Sequence, residues 1–305
     1  MADGKVVKAK TQRGKRAIEA KSPKAVENTK KALFIRGGRT SELVTQALKD
    51  LYALKKPNAV MFQRKNVLLP FEDQTSLEFF SVKNDASLIA YGSHSKKRPH
   101  NLVLGRTFDG HVLDLIELGI DRFKTLQSFQ TSKCTVGTKP CLLFSGELFE
   151  TELEYKRLKN LLIDFFRGTV TDKIRLQGLE HVIQITAIDK HVLFRSYRTI
   201  LKKSGGRTPR VELEEMGPAF DFTLRRTRLA SEDLMKEATK VPKVAKPTKV
   251  KNVDYDAFGT KTGRVHMTRQ DYGKLQTRKL KGLKRGQQDE NTEEDTMNNN
   301  KRTKT

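Results

Sequence analysis

The chain has no tryptophan, only two cysteines among 305 residues, and no apolar run near the roughly 20 residues that a membrane span needs. Each shortage excludes something. Without tryptophan, and with most of the 16 phenylalanines spaced along apolar faces, single-strand readout by exposed aromatic platforms is disfavoured against contact through phosphate and shape. Cys134 and Cys141 have no Cys or His pair nearby at zinc-site spacing. A disulfide between them is sterically possible, but nothing else in the sequence supports it. So few cysteines in a basic chain point to a reducing compartment. No apolar core of a secretory signal stands at the N-terminus, so an intracellular protein without a membrane association is expected.

Catalytic signatures are missing too. There is no phosphate-binding Gly-x-x-x-x-Gly-Lys, no His-Glu-x-x-His and no nucleophile elbow, and the six histidines are scattered without metal-ligand spacing. Neither an enzyme nor a cofactor or metal is expected. A nucleotide-using or RNA-modifying enzyme would have one foothold, Gly37-Gly38-Arg39-Thr40-Ser41 between a strand and a helix, where a phosphate can dock on a helix N-terminus. A tight turn followed by an N-cap explains those residues more simply.

What the chain does have is positive charge, unevenly placed. Of the formal +24, residues 1–40 hold 12 Lys/Arg against 3 Asp/Glu, and residues 236–305 hold 18 against 9. The 195 residues between them hold 30 against 24. A nearly balanced core therefore carries two cationic arms, and polyanions, above all nucleic acid, are the natural partners of such arms. The organisation expected is a basic arm over 1–30, a folded region over 31–235 and a basic, largely extended or disordered tail over 236–305. The N-terminal arm reads as a solvated tail or a weak helix.

Inside the core, Ala32 to Ile35 reads as a strand. A helix follows with Leu43, Val44, Ala47, Leu48, Leu51 and Leu54 at spacings of three to four. Strands are expected near 58–62, 87–91 and 101–106, with a short helix or buried turn around Leu77 to Val82. Asp109-Gly110 marks a turn, and Val112 to Leu118 reads as an apolar helical run. The pattern then restarts. Leu142 to Phe144 is strand-like, and a helix with Leu153, Leu158, Leu161, Leu162, Phe165 and Phe166 begins at Thr151, which forms a capping box with Glu154. Strands near 181–188, 192–197, 210–214 and 220–225 and a helix over 231–238 complete it. Strand, glycine and amphipathic helix thus recur about 110 residues apart, a candidate pseudo-repeat of two α+β halves, about 31–138 and 139–235.

Three basic clusters are the candidate RNA contacts. Lys96, Lys97 and Arg98 sit in a loop stiffened by Pro99 between two strands, able to follow a phosphate backbone. Arg225, Arg226 and Arg228 leave a strand, where simple alternation puts Arg225 and Thr227 on one face and Arg226 and Arg228 on the other. In the tail, Arg278, Lys279, Lys281, Lys284 and Arg285 surround Leu280 and Leu283, and Arg264 lies upstream. That tail cluster reads equally as a nuclear import signal. Neutralising about five phosphates there gives a log–log salt slope near −4 to −5.

The stretch Ser93-His94-Ser95-Lys96-Lys97-Arg98-Pro99-His100-Asn101-Leu102-Val103-Leu104-Gly105-Arg106-Thr107-Phe108-Asp109-Gly110-His111 resembles the signature region of the Brix-domain family. So does Met216-Gly217-Pro218 through Leu224-Arg225-Arg226-Thr227-Arg228. The tail segments Phe258-Gly259-Thr260, Gly263-Arg264-Val265-His266-Met267 and Leu275-Gln276-Thr277-Arg278-Lys279 resemble one branch of it. The resemblance implies a non-enzymatic nucleolar factor of large-subunit (60S) ribosome assembly. Its fold would be two similar α+β halves like anticodon-binding domains. The branch implies a heterodimer with the regulator of ribosome synthesis protein. Together the two would recruit the 5S ribonucleoprotein, 5S rRNA with its two large-subunit proteins, to large-subunit pre-rRNA in the pre-60S particle. The RNA contacts above rest on charge rather than on the resemblance.

Overall fold

The computed structural model describes residues 11–21, 28–171, 174–175, 178–206, 208–241, 251–265 and 267. The chain divides into two compact units, Met1–Pro247 and Thr248–Thr305. In the first, α1 (Gln12–Lys21) lies in the N-terminal arm, the weak helix left open by the sequence.

The first half begins with β1 (Ala32–Gly37), whose Ala32 to Ile35 are all buried, as a strand covered on both faces requires. Ser41 caps α2 (Glu42–Lys55), its Oγ accepting from the Val44 N–H at 3.3 Å, and Val44, Ala47, Leu48 and Leu51 face inward. The turn-plus-cap reading of Gly37 to Ser41 is therefore the one observed. β2 (Ala59–Asn66), α3 (Thr75–Asn84) and β3 (Leu88–Ser93) follow, with β2 and β3 parallel to β1 on either side. β4 (Asn101–Phe108) and β5 (His111–Lys124) are antiparallel. The helical run expected over Val112 to Leu118 is thus a strand. Ile116, Leu118 and Ile120 enter one core while Leu115 enters the core on the other side, so burial of both faces erased the alternation that marks a strand.

The second half repeats the plan. β6 (Cys141–Ser145) leads through α4 (Leu148–Thr151) and α5 (Leu153–Phe166) to β7 (His181–Ile188), parallel to β6. β8 (His191–Lys202) and β10 (Ala219–Arg228) continue antiparallel, with β9 (Arg210–Glu215) hung on β8. The capping box does not form. Thr151 ends α4, its hydroxyl donating to the Glu147 carbonyl, Glu152 starts α5 without a side-chain cap, and Glu154 accepts from Thr227 instead. α6 (Glu232–Thr239), capped by Ser231, follows β10 and is the last element of this unit among the described residues.

Nine strands form one path, β2-β1-β3-β4-β5-β10-β8-β7-β6. Its middle is the antiparallel pair β5/β10, the last strand of each half. The halves are therefore strand–helix–three strands each, joined tail to tail with pseudo-twofold symmetry. The first carries β2 and α3 as extras, the second β9. α2 and α5 pack on the same sheet face over a common core that includes Leu48, Leu51, Leu158, Leu161, Phe165, Phe194 and Phe220. In the second unit, β11 (Val253–Tyr255) and β12 (Lys261–Gly263) form a hairpin.

Candidate functional site

The two motif segments, more than a hundred residues apart, meet at the second signature's strand. Between β3 and β4 the chain turns tightly, with Ser95 and Arg98 exchanging backbone hydrogen bonds at 3.1 and 3.2 Å. The turn leaves Lys96 and Lys97 exposed and sends Arg98 back over the sheet. Arg98 Nη1 donates to both oxygens of Glu117 on β5, at 3.0 and 2.8 Å. Arg226 of β10 reaches the same carboxylate through Nε and Nη2, its guanidinium lying 4.2 Å over the Phe71 ring. The Glu117 side chain is wholly buried. A buried carboxylate costs several kcal/mol unless it is paired and hydrogen-bonded, and two arginines supply both conditions.

Arg225 donates to Asn101 Oδ1 at 3.2 Å and packs over Gly119, where any Cβ would fall on the guanidinium. The alternation expected across Arg225 and Arg226 is thus overturned. The register of β10 on β5 shifts between Leu224 and Thr227, and this bulge turns both arginines to the side of Glu117 and Gly119. Two of the predicted RNA contacts, Arg98 and Arg226, are therefore paired with an internal carboxylate while keeping 36% and 44% of their side chains exposed. Lys96, Lys97 and Arg228 stand exposed on the first unit, and Arg264 is exposed on the second. Arg278, Lys279, Lys281, Lys284 and Arg285 lie outside the described residues. Beside the cluster the rings of His94 and His100 lie 4.9 Å apart, tilted by 55°, and His100 Nδ1 shares a 2.9 Å hydrogen bond with the N-cap Ser41. Burial, with His94 and Arg225 nearby, holds His100 below the ordinary histidine range.

A groove of about 660 Å³ opens over this cluster, walled by Val67, Leu69 and Phe71 and by Arg39, Arg98 and Arg226. Sequence reasoning missed Glu117, and it missed a second buried ion network. Arg106 of β4, 6% exposed at its side chain, bonds Asp114 and reaches Asp164 and Asn160 on α5, tying one half to the other. The available signal was local: Arg106, Asp114 and Glu117 are charged residues within otherwise apolar strands, which demands internal partners.

A second surface comes from the symmetry. In the first half, the sheet face opposite α2 is covered by α3 and the 67–71 segment, through Leu77, Leu68, Phe71 and Phe80 on Leu33, Ile35, Ile89 and Leu115. The same face of the second half has no such helix among the described residues. Register places Leu143, Gln184, Arg195, Thr199, Leu201, Val211 and Leu213 on it. Val211 is 59% exposed and Leu213 49%. One end is closed by the 129–134 segment, where Thr131 and Lys133 bond the backbone of Glu215 and Met216. Gly217, at φ 73, lies so close to the Phe129 ring that no larger residue is accommodated.

Among the described residues there is no cluster of three metal-ligating side chains, and no helix is long and apolar enough to cross a membrane. Cys134 and Cys141 are unpaired, and burial raises the Cys134 thiol.

The Brix domain profile matches residues 37–226, taking in the first motif segment and all but the last two residues of the second. The chain is 58% identical over 260 residues to the ribosome production factor 2 homolog of Mus musculus, covering 85% of each sequence. It is 46% identical over 302 residues to the ribosome biogenesis protein RPF2 of Saccharomyces cerevisiae, covering 95% of this chain and 88% of the relative. Among solved structures, a probable ribosomal biogenesis protein from Aeropyrum pernix aligns with 66% of this chain and 99% of its own, at TM-score 0.42 and 11% identity. The chain belongs to the Brix-domain family, in the branch of the ribosome production factor 2 homologues.

Proposed function

We propose that this ribosome biogenesis factor acts without catalysis in assembly of the large (60S) subunit. It forms a heterodimer with the regulator of ribosome synthesis protein in the nucleolus. The pair recruits 5S rRNA and its two large-subunit proteins to pre-rRNA in the pre-60S particle. The observation that supports a protein partner best is the asymmetry of the halves. The face that α3 seals in the first half is open in the second, with Leu201, Val211 and Leu213 exposed in a row on the β8/β9 ribbon. An aliphatic row of this kind on a sheet is ordinarily covered by another element. RNA contact is assigned to the outward lysines Lys96 and Lys97, to Arg228, and to the basic tail.

The test is reconstitution with the regulator of ribosome synthesis protein. Val211→Asp with Leu213→Asp is expected to abolish the 1:1 complex in size-exclusion chromatography while the free chain keeps its melting temperature. An unchanged complex would refute this placement. Lys96→Glu with Lys97→Glu should leave the complex intact and weaken crosslinking to 5S rRNA or large-subunit pre-rRNA. Loss of the heterodimer without loss of RNA crosslinking would separate the two roles.

A further inference from the structure

The groove over Glu117 is not used by the partner surface proposed above. Its chemistry is divided. One wall is aliphatic and unusually open for a short connection: Val67 is 84% exposed and Leu69 55%. The other wall is arginine. Glu117 engages only Nη1 of Arg98 and Nε and Nη2 of Arg226, so Nε and Nη2 of Arg98 and Nη1 of Arg226 keep their N–H groups without a described partner. The two side chains are 36% and 44% exposed at the groove, and Arg39, on the same lining, is exposed with no side-chain partner among the described residues. Two guanidiniums share one carboxylate, so the triad carries a net positive charge; Arg39 adds a second and the exposed Glu72 on the same lining offsets one, which leaves the groove net cationic.

Three features decide the occupant. Glu117 fixes the arginine pair in place, so an incoming anion meets preorganised donors with little side-chain entropy left to lose. Of the aromatic rings on the walls, Tyr91 is buried, Phe71 has Arg226 over its face and His94 lies against His100, so a nucleobase finds no open stacking platform. Exposed valine and leucine offer nothing to a sugar–phosphate chain but match aliphatic side chains. We infer that the groove is a docking site for an extended acidic–aliphatic peptide segment of a protein partner. A carboxylate of the segment meets Arg98, Arg226 and Arg39, and its flanking aliphatic side chains lie on Val67 and Leu69.

The experiment uses the full chain and a fluorescein-labelled decapeptide, Gly-Ser-Leu-Glu-Leu-Asp-Leu-Ser-Gly-Lys, read by fluorescence anisotropy at 0.15 M salt. Because a chain of net charge +24 attracts acidic peptides anywhere, the deciding variant is uncharged. Val67→Ser with Leu69→Ser alters only exposed side chains and is expected to weaken peptide binding at least tenfold. Arg39→Glu should do the same. A peptide with glutamine and asparagine replacing its acids should lose at least tenfold as well. If Val67→Ser with Leu69→Ser binds the peptide like the parent, the binding lies elsewhere and the inference falls. It also falls if these variants instead weaken a fluorescein-labelled uridine decamer, which would make the groove an RNA site. Neither Val211→Asp nor Leu213→Asp should move the peptide affinity, so this site and the heterodimer surface succeed or fail separately.

Discussion

The two halves share one plan but differ in how each sheet face is closed. In the first, helices sit on both faces: α2 on one, α3 on the other, with Leu77 fully buried beneath α3. In the second, α5 closes one face and the opposite face keeps Val211 and Leu213 in solvent. An internal duplication thus leaves one sheet face without a covering helix among the described residues, and this is the face on which the proposed partner would add. The contrast can be broken directly. Leu77→Ala should destabilise the domain by about 2–5 kcal/mol, as truncations of fully buried leucine do. Leu213→Ala, on the matching face of the other half, should change stability by less than about 0.5 kcal/mol. Urea denaturation of both variants checks this, and equal losses would mean that the second face is already covered in the free chain.

The halves also differ in what their paired strands bury. β3 opens with Leu88, whereas β7 opens with His181, buried and 2.9 Å from Ser196 Oγ. Burial pushes His181 down to about 4 from the usual 6.5. The folded state therefore refuses a proton that the unfolded chain accepts below pH 6.5. The stability this histidine contributes is complete above 6.5 and lost progressively as pH falls toward 4. Between pH 7.5 and 5 the loss is about 2 kcal/mol. His181→Gln should flatten that part of the stability profile, and an unchanged slope would mean that other groups produce it.

Legibility in the sequence followed the same physics. α2 and α5 were plain because each buries one stripe at spacings of three to four, and β7 was placed to its ends because it is bounded by turns. The duplication showed through the repeated strand–glycine–helix. β5 was misread because both its faces are buried, and period two survives only when one face is wet. The pairing of Arg98 and Arg226 with Glu117 is invisible in the sequence, because Glu117 is distant from Arg226 and lies inside the run that reads as a helix. No local pattern in a single sequence could announce the bulge after Leu224, which set the facing of Arg225 and Arg226.

The smallest expected effect separates neighbours in one loop. Lys96 and Lys97 point outward and Arg98 inward, so adjacent cations should respond to different measurements. Lys96→Glu with Lys97→Glu removes two candidate phosphate contacts. At about 0.7–0.9 per phosphate, the log–log salt slope of RNA binding should become shallower by about 1.5, with stability unchanged within about 0.5 kcal/mol. Arg98→Ala should instead move the slope by well under 1 and cost about 1–2 kcal/mol of stability. Glu117 keeps Arg226, so the buried carboxylate stays paired but loses two of its hydrogen bonds. Salt titrations of the three chains beside their denaturation curves decide between the roles. If Arg98→Ala changed the slope as much as the lysine pair and left stability untouched, Arg98 would be an RNA contact, and the division between an outward basic edge and an inward arginine–glutamate cluster would be wrong.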